Sequence, residues 1–173
     1  AKLVPREDYA SVRKANPGDN MLQQSGTPWG LRRTMLMSPF GIPCNPTPWG
    51  QLTGIDLRSG EHIWQTTLGT TRDIAPVPIA LKTGTPTLGG PLMTSGGLTF
   101  IGATMENSLR AFDSRTGAEL WQGRLPAPGI ATPMSYEVAT DDGKTKQFVL
   151  IAAGGYGDMP PAISDTLVAF GVP

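Results

Sequence analysis

The sequence predicts an all-β fold: a β-propeller segment of about two to three four-stranded blades. Three observations predict it. The 22 Gly and 17 Pro among 173 residues punctuate the chain at short intervals, which suits short strands and tight turns better than long helices. Apolar runs after residue 50 alternate with polar turns, the pattern of half-buried strands. A hairpin is also written twice, as LTGIDLRSGEHIWQTTLG (52–69) and LRAFDSRTGAELWQGRLP (109–126). Asp56, Gly60, Trp64 and Gln65 return as Asp113, Gly117, Trp121 and Gln122, each 57 residues on.

Taken in order, residues 1–50 read as an irregular, Pro/Gly-rich lead-in within the propeller, with REDYASVRKA as its one short helix. Residues 51–173 read as propeller blades with tryptophan-docking repeats. QLTGIDL, the turn RSGE and HIWQTTL make a hairpin, and a Pro-rich connection, TRDIAPVPIALKTGTP, follows. From Thr87, four strand-like runs are separated by SGG, TMEN and SRTG. ATPMSYEV and KQFVLIAAGG pair across an acidic turn, and DTLVAFGV is the last run, for a total of about nine strands. Trp64 and Trp121 are large apolar groups at equivalent strand positions, suited to packing one sheet against the next. Asp56 and Asp113 suit turns anchored on backbone amides, and Gly60 and Gly117 suit positive φ. Two repeats with flanking strands fall short of the four blades a ring needs, so one incomplete domain, completed by the rest of the protein, is expected.

Composition narrows the function. Lys+Arg and Asp+Glu are 14 each, net charge is zero and pI is about 6.8, so electrostatic binding to nucleic acid has no support. No apolar run approaches the roughly 20 residues of a membrane-spanning helix, and the opening AKLVPREDYA lacks the pattern of a signal peptide. One cysteine, Cys44, and one histidine, His62, supply no disulfide and no zinc set; no metal ligands are assigned. Cys44 reads as a buried small apolar residue. His62 falls on the second strand of a hairpin, a poor place for a Ser-His-Asp base. No side chain here can accept two electrons, so a redox activity would need a borrowed cofactor. No GxGxxG follows a strand to take a nicotinamide, GGYGD coming closest without a helix behind it.

The ordered set SPFGIPCNPTPWG, IDLRSGEHIWQTTLGT, GTPTLGGPLMTSGGLTFIGATMENSLRAFDSRTGAELWQGRLPAPGIATPMSYEV and LVAFGVP resembles the C-terminal part of the membrane-bound quinoprotein dehydrogenases, the glucose/quinate/shikimate family. That resemblance runs from about Leu3 to Pro173. It implies an eight-bladed propeller on the periplasmic side of the bacterial inner membrane. Pyrroloquinoline quinone (PQQ) and a divalent cation, calcium or magnesium, would be bound mainly by the rest of the enzyme. A small polyol would be oxidised with help from an Asp general base, and electrons would pass to ubiquinone. The membrane anchor would lie outside this chain, and the N-terminal remainder of the dehydrogenase would be its partner. No catalytic residue is assigned in this chain, and Asp73 and Asp165 are given no role in catalysis.

The resemblance places several residues near substrate or cofactor. In AAGGYGDMPP (152–161), Gly154 and Gly155 end a strand and present Tyr156 and Asp158. The glucose-oxidising members carry His there, in GGHGS; Tyr156 replaces it, with an exposed tyrosine in a Gly-rich loop as the bland alternative. Glu106 stands where the family usually has Asp, on a turn between strands. Thr132 and Pro133, in GIATPM, and TLGGP (87–91) border the expected funnel. Arg72 and Arg124 could balance carboxylates, including that of an acidic substrate, or lie on the surface. Two further readings stay open: a non-catalytic propeller scaffold for protein partners, and a soluble quinoprotein alcohol dehydrogenase that carries a cytochrome. No CxxCH motif supports a haem in this chain.

Overall fold

Twelve strands and one short helix follow one another in the computed structural model, which describes residues 1–34, 36–39, 43–75, 79–141, 143–156 and 163–171. The chain divides into two compact units, Ala1–Pro46 and Thr47–Pro173.

The first unit holds β1 (Lys2–Pro5), α1 (Tyr9–Ala15), β2 (Asn20–Gln23) and β3 (Trp29–Arg33), with β3 central in an antiparallel sheet ordered β1-β3-β2. The irregular reading of this stretch therefore needs correction, although the short helix stands where REDYASVRKA put it. The strands are four or five residues long, with little period-2 alternation, so their sequence signal is weak. They form through contacts within the unit. Gly30 lets the Tyr9 ring lie on β3, where a Cβ would sit 2.7 Å from that ring, and the Tyr9 hydroxyl donates to the Met21 carbonyl at 2.9 Å. Cys44 is exposed, not buried as expected.

The second unit contains the nine strands legible in the sequence: β4 (Gln51–Ile55), β5 (His62–Thr67), β6 (Leu92–Met93), β7 (Leu98–Ile101), β8 (Ser108–Asp113), β9 (Glu119–Arg124), β10 (Met134–Ala139), β11 (Thr145–Ala153) and β12 (Thr166–Gly171). They form antiparallel sheets of two strands (β4-β5), four (β6-β7-β8-β9) and three (β10-β11-β12). One sheet thus has the four strands expected of every blade.

The repeated hairpins share their backbone detail. Pairing slips at Gly54/Ile55 in the first and at Ala111/Phe112 in the second, again 57 residues apart. Asp56 Oδ1 accepts from the Arg58 amide at 2.8 Å, and Asp113 Oδ1 accepts from the amides of Arg115 and Thr116 at 2.8 and 2.9 Å. Gly60 and Gly117 hold φ of +76° and +70°, a conformation that disfavours any residue with a Cβ. Trp64 lies flat against Gly117, where a Cβ would meet the ring at 2.4 Å, and its indole N–H donates to the Ser114 carbonyl at 3.0 Å. The tryptophan of one hairpin is therefore seated on the turn of the next.

Two apolar clusters bind the sheets. Leu52 of the first sheet packs with Leu68 on Ile101, Ala103 and Phe112 of the second. Leu109 and Leu125 of the second pack on Val149, Ile151 and Ala153 of the third, with Phe100, Val168 and Phe170 beside them. Strands β7 and β8 thus give side chains to the sheets on both sides, Phe100 and Leu109 to one and Ile101 and Phe112 to the other.

Candidate functional site

Antiparallel pairing brings the ends of three sheets together. The segment entering β6, the β7–β8 loop and the segment leaving β9 share one end of the four-stranded sheet. The start of β10, the end of β11 and the start of β12 share one end of the three-stranded sheet. Backbone bonds tie these ends: Leu88 N–H to Ala103, Ala103 N–H to Gly129, Gly155 N–H to Pro128 and Thr85 N–H to Leu68, at 2.7–3.1 Å. Glycines make the approach possible. A Cβ on Gly102 would lie 2.2 Å from the Gly129 carbonyl oxygen, and one on Gly89 would lie 2.2 Å from that of Ile130. Ala103 takes φ +54°, in a region that costs a non-glycine residue roughly 1–2 kcal/mol.

Tyr156 secures that strained residue. It is 8% exposed, and its hydroxyl stands 3.0 Å from the Pro86 carbonyl and 3.1 Å from the Ala103 carbonyl, so its proton serves the backbone. Burial pushes the phenol pKa up. An exposed tyrosine is therefore ruled out. The Gly155 amide bonds inward, whereas Gly154 is exposed. Asp158 lies outside the described residues. Thr132 is exposed, with its hydroxyl where a Cβ on Gly90 would come within 2.8 Å, and Pro133 is buried beside it.

Three residues beyond Ala103, Glu106 is 1% exposed and fully engaged. Oε2 accepts from the Thr70 amide at 2.7 Å and from Arg110 Nη2 at 2.6 Å, and Oε1 accepts from the Thr70 hydroxyl at 2.5 Å. Arg110, 3% exposed, also reaches Glu119 at 3.4 Å. A second carboxylate, Asp73, forms a two-pronged ion pair with Arg124, both bonds at 2.8 Å, and accepts from the Asn107 amide at 3.0 Å. Burial would raise the Asp73 pKa, but the Arg124 guanidinium, the Asn107 amide and the charge of Arg72 outweigh it, holding the carboxyl below the usual range. Arg124 is thus committed to Asp73, while Arg72 is exposed.

The structure joins Tyr156 and Glu106 through one loop, residues 103–106, but turns their functional atoms to different partners. Sequence reasoning missed Thr70, Asp73 and Arg110 as members of this network. TTRD stands just after the first tryptophan strand, but its Thr70 and Asp73 meet Glu106 and Asn107 across 36 and 34 residues, so no local pattern marked them.

Among the described residues, no group of three or more His, Cys, Asp or Glu could hold a metal ion. Both Glu106 oxygens are occupied by Thr70 and Arg110, so these residues do not fit a divalent cation. No described helix is long and apolar enough to cross a membrane.

Sheets of up to four antiparallel strands, with Trp64 of one hairpin seated on the turn of the next, define a β-propeller segment. Residues 1–149 match the family described as "PQQ: Glucose/ethanol/alcohol dehydrogenase, beta-propeller domain", and the chain belongs to that family. It is 39% identical over 183 residues to the quinoprotein glucose dehydrogenase of Escherichia coli (strain K12), covering 100% of this chain and 22% of that protein. Identity is 43% over 179 residues to quinoprotein glucose dehydrogenase A of Acinetobacter calcoaceticus, with the same coverage of 100% and 22%. The quinate/shikimate dehydrogenase (quinone) of Acinetobacter baylyi (strain ATCC 33305 / BD413 / ADP1) is 42% identical over 151 residues, 85% of this chain and 18% of that one. The chain therefore spans about a fifth of the length of the curated relatives it matches.

Proposed function

We propose that this chain is the C-terminal propeller part of a PQQ-dependent dehydrogenase on the periplasmic side of the bacterial inner membrane. The enzyme oxidises a small polyol of the quinate/shikimate or glucose class and passes the electrons to ubiquinone. The observation that carries the proposal is the family match over residues 1–149, on a chain whose own side chains offer no two-electron acceptor. PQQ, when bound, supplies that acceptor. The quinone, its calcium or magnesium ion and the general base are assigned to the remainder of the enzyme, which also carries the membrane anchor.

In this reading the chain's own contribution is rigidity beside the reaction. Tyr156 pins the loop that carries Glu106, and Glu106 and Asp73 fasten the segment after β5 to it. Tyr156 stands where the resemblance gives the glucose-oxidising members a histidine, and its hydroxyl proton is turned to backbone carbonyls. That change favours a cyclic polyol acid over glucose.

The test is the intact mass and absorbance spectrum of the purified native assembly, before and after adding PQQ and calcium, followed by dye-linked oxidation of quinate, shikimate and glucose. The expected result is a particle larger than the 18.3 kDa of this chain, carrying the quinone's absorbance and oxidising a polyol. An intact assembly that stays colourless with PQQ would overturn the enzyme reading and leave a scaffold ring.

A further inference from the structure

Between the connection that follows β5 and strand β9 lies a recess of about 410 Å³, walled by Thr70, Lys82, Arg110, Glu119, Leu120 and Gln122. Its two flanks already pack on each other within this chain. Leu52 of the first sheet reaches Ile101 and Phe112 of the second, and Trp64 sits on the β8–β9 turn. The recess therefore belongs to a finished junction between two sheets, not to an open sheet edge.

Four polar groups of its wall have bonding capacity to spare. Arg110 sends Nη2 to Glu106 at 2.6 Å and Nε to Glu119 at 3.4 Å, but its Nη1 is buried with no partner. A buried cationic donor left in that state costs free energy that an added acceptor restores. Lys82 is exposed and brings three more N–H donors. Gln122 stands opposite Arg110 in the β8–β9 register and donates its amide nitrogen to Ser108 at 2.8 Å, so its carbonyl end is left to accept. Glu119 gives one carboxylate oxygen to Arg110 and keeps the other for an incoming hydroxyl.

The wall thus sets two donors, Arg110 and Lys82, beside two acceptors, Glu119 and Gln122. The formal charges cancel, Arg110 and Lys82 against Glu106 and Glu119, so neither a free anion nor a free cation is favoured. A neutral molecule whose hydroxyls each donate and accept matches such a set. Leu120, 58% exposed, offers its carbons an apolar wall. The volume lies within the range of small-molecule sites.

We propose that this recess binds a neutral, ring-sized polyhydroxy compound. Its hydroxyls donate to Glu119 and Gln122 and accept from Lys82, and one of them accepts from Arg110 Nη1, directly or through a single trapped water. The site binds and does not react, because none of its side chains can accept two electrons. The ligand class follows from these side chains alone and stands without the dehydrogenase reading.

Equilibrium dialysis of the intact native enzyme against radiolabelled myo-inositol tests this, with Lys82→Met and Gln122→Leu as variants. Both side chains are exposed, so neither change threatens the fold. The expected result is one equivalent of bound inositol whose affinity falls about tenfold in each variant, while kcat and KM for polyol oxidation stay unchanged. Inositol should also raise the thermal midpoint of the parent more than that of either variant. An equal rise in all three would be the general effect of an excluded polyol and would overturn the site. Absent binding, or binding untouched by both substitutions, overturns it as well, and displacement by inorganic phosphate at equal concentration overturns the neutral-ligand assignment. Polyol oxidation with no Lys82-dependent binding sinks the site and leaves the dehydrogenase reading intact. Lys82-dependent binding in an assembly that stays colourless with PQQ supports the site while the dehydrogenase reading falls.

Discussion

Glu106 and Asp73 show two regimes of charge burial in neighbouring side chains. The Glu106–Arg110 pair is 1% and 3% exposed, so desolvation costs much of what attraction returns, and the pair persists because Thr70 satisfies the remaining oxygen. Asp73 and Arg124 are 14% and 44% exposed, so solvent screens them, but the two-pronged geometry keeps their bond useful. Because the folded-state pKa of Asp73 is lowered, its stabilisation is present above the ordinary carboxyl value of about 3.9 and disappears as pH falls through the folded value. Replacing Asp73 by Asn should lower the thermal midpoint at pH 7, with a loss of about 1 kcal/mol. The gap between variant and parent should narrow steadily below pH about 4. Thermal melts from pH 7 to pH 3 check this, and a gap independent of pH would show that the ion pair contributes nothing.

At the scale of an element, the repeated hairpin is a docking unit whose price is fixed by one glycine. Gly117 and Gly143 both sit at positive φ, +70° and +77°, but a Cβ on Gly117 would meet Trp64 whereas none lies within 4 Å at Gly143. Gly143→Ala should cost the backbone term alone, roughly 1–2 kcal/mol. Gly117→Ala should add overpacking of about 1–3 kcal/mol as Trp64 is pushed off Ser114. Denaturant unfolding of the two variants measures the difference, and equal losses would mean that Trp64 shifts aside without cost. The hairpins were legible because Asp, Gly and Trp each hold a strong local preference at fixed spacing. The carboxylate network was not, since Thr70 meets Glu106 across 36 residues and nothing local in TTRD signals that pairing. The first sheet was missed for a related reason: KLVP, NMLQ and WGLRR become strands only when β3 pairs with both neighbours.

For the second unit as a whole, the telling feature is a sheet with one face packed and the other bare. Tyr136 and Phe148 stack with centroids 5.4 Å apart on the bare face. Strand pairing places Met134, Val138 and Leu167 on that same face, and they are 53%, 44% and 66% exposed. The opposite face of the same strands gives Val149, Ile151 and Ala153 to the core. With zero net charge, little repulsion holds two copies of such a face apart near pH 6.8. The chain expressed by itself should therefore associate as its concentration rises, most strongly around that pH, and sedimentation velocity would show it. Lysines at Met134 and Val138 should abolish this association and change unfolding stability by no more than about 0.5 kcal/mol, because both side chains are already in water. In the complete enzyme the same two lysines should block assembly or lower its thermal midpoint, since a further propeller sheet would have to bury them unpaired. If the lysines left both the self-association and the complete enzyme unchanged, the bare face would be solvent-facing in every state, and the ring would have to continue from somewhere other than β10–β12.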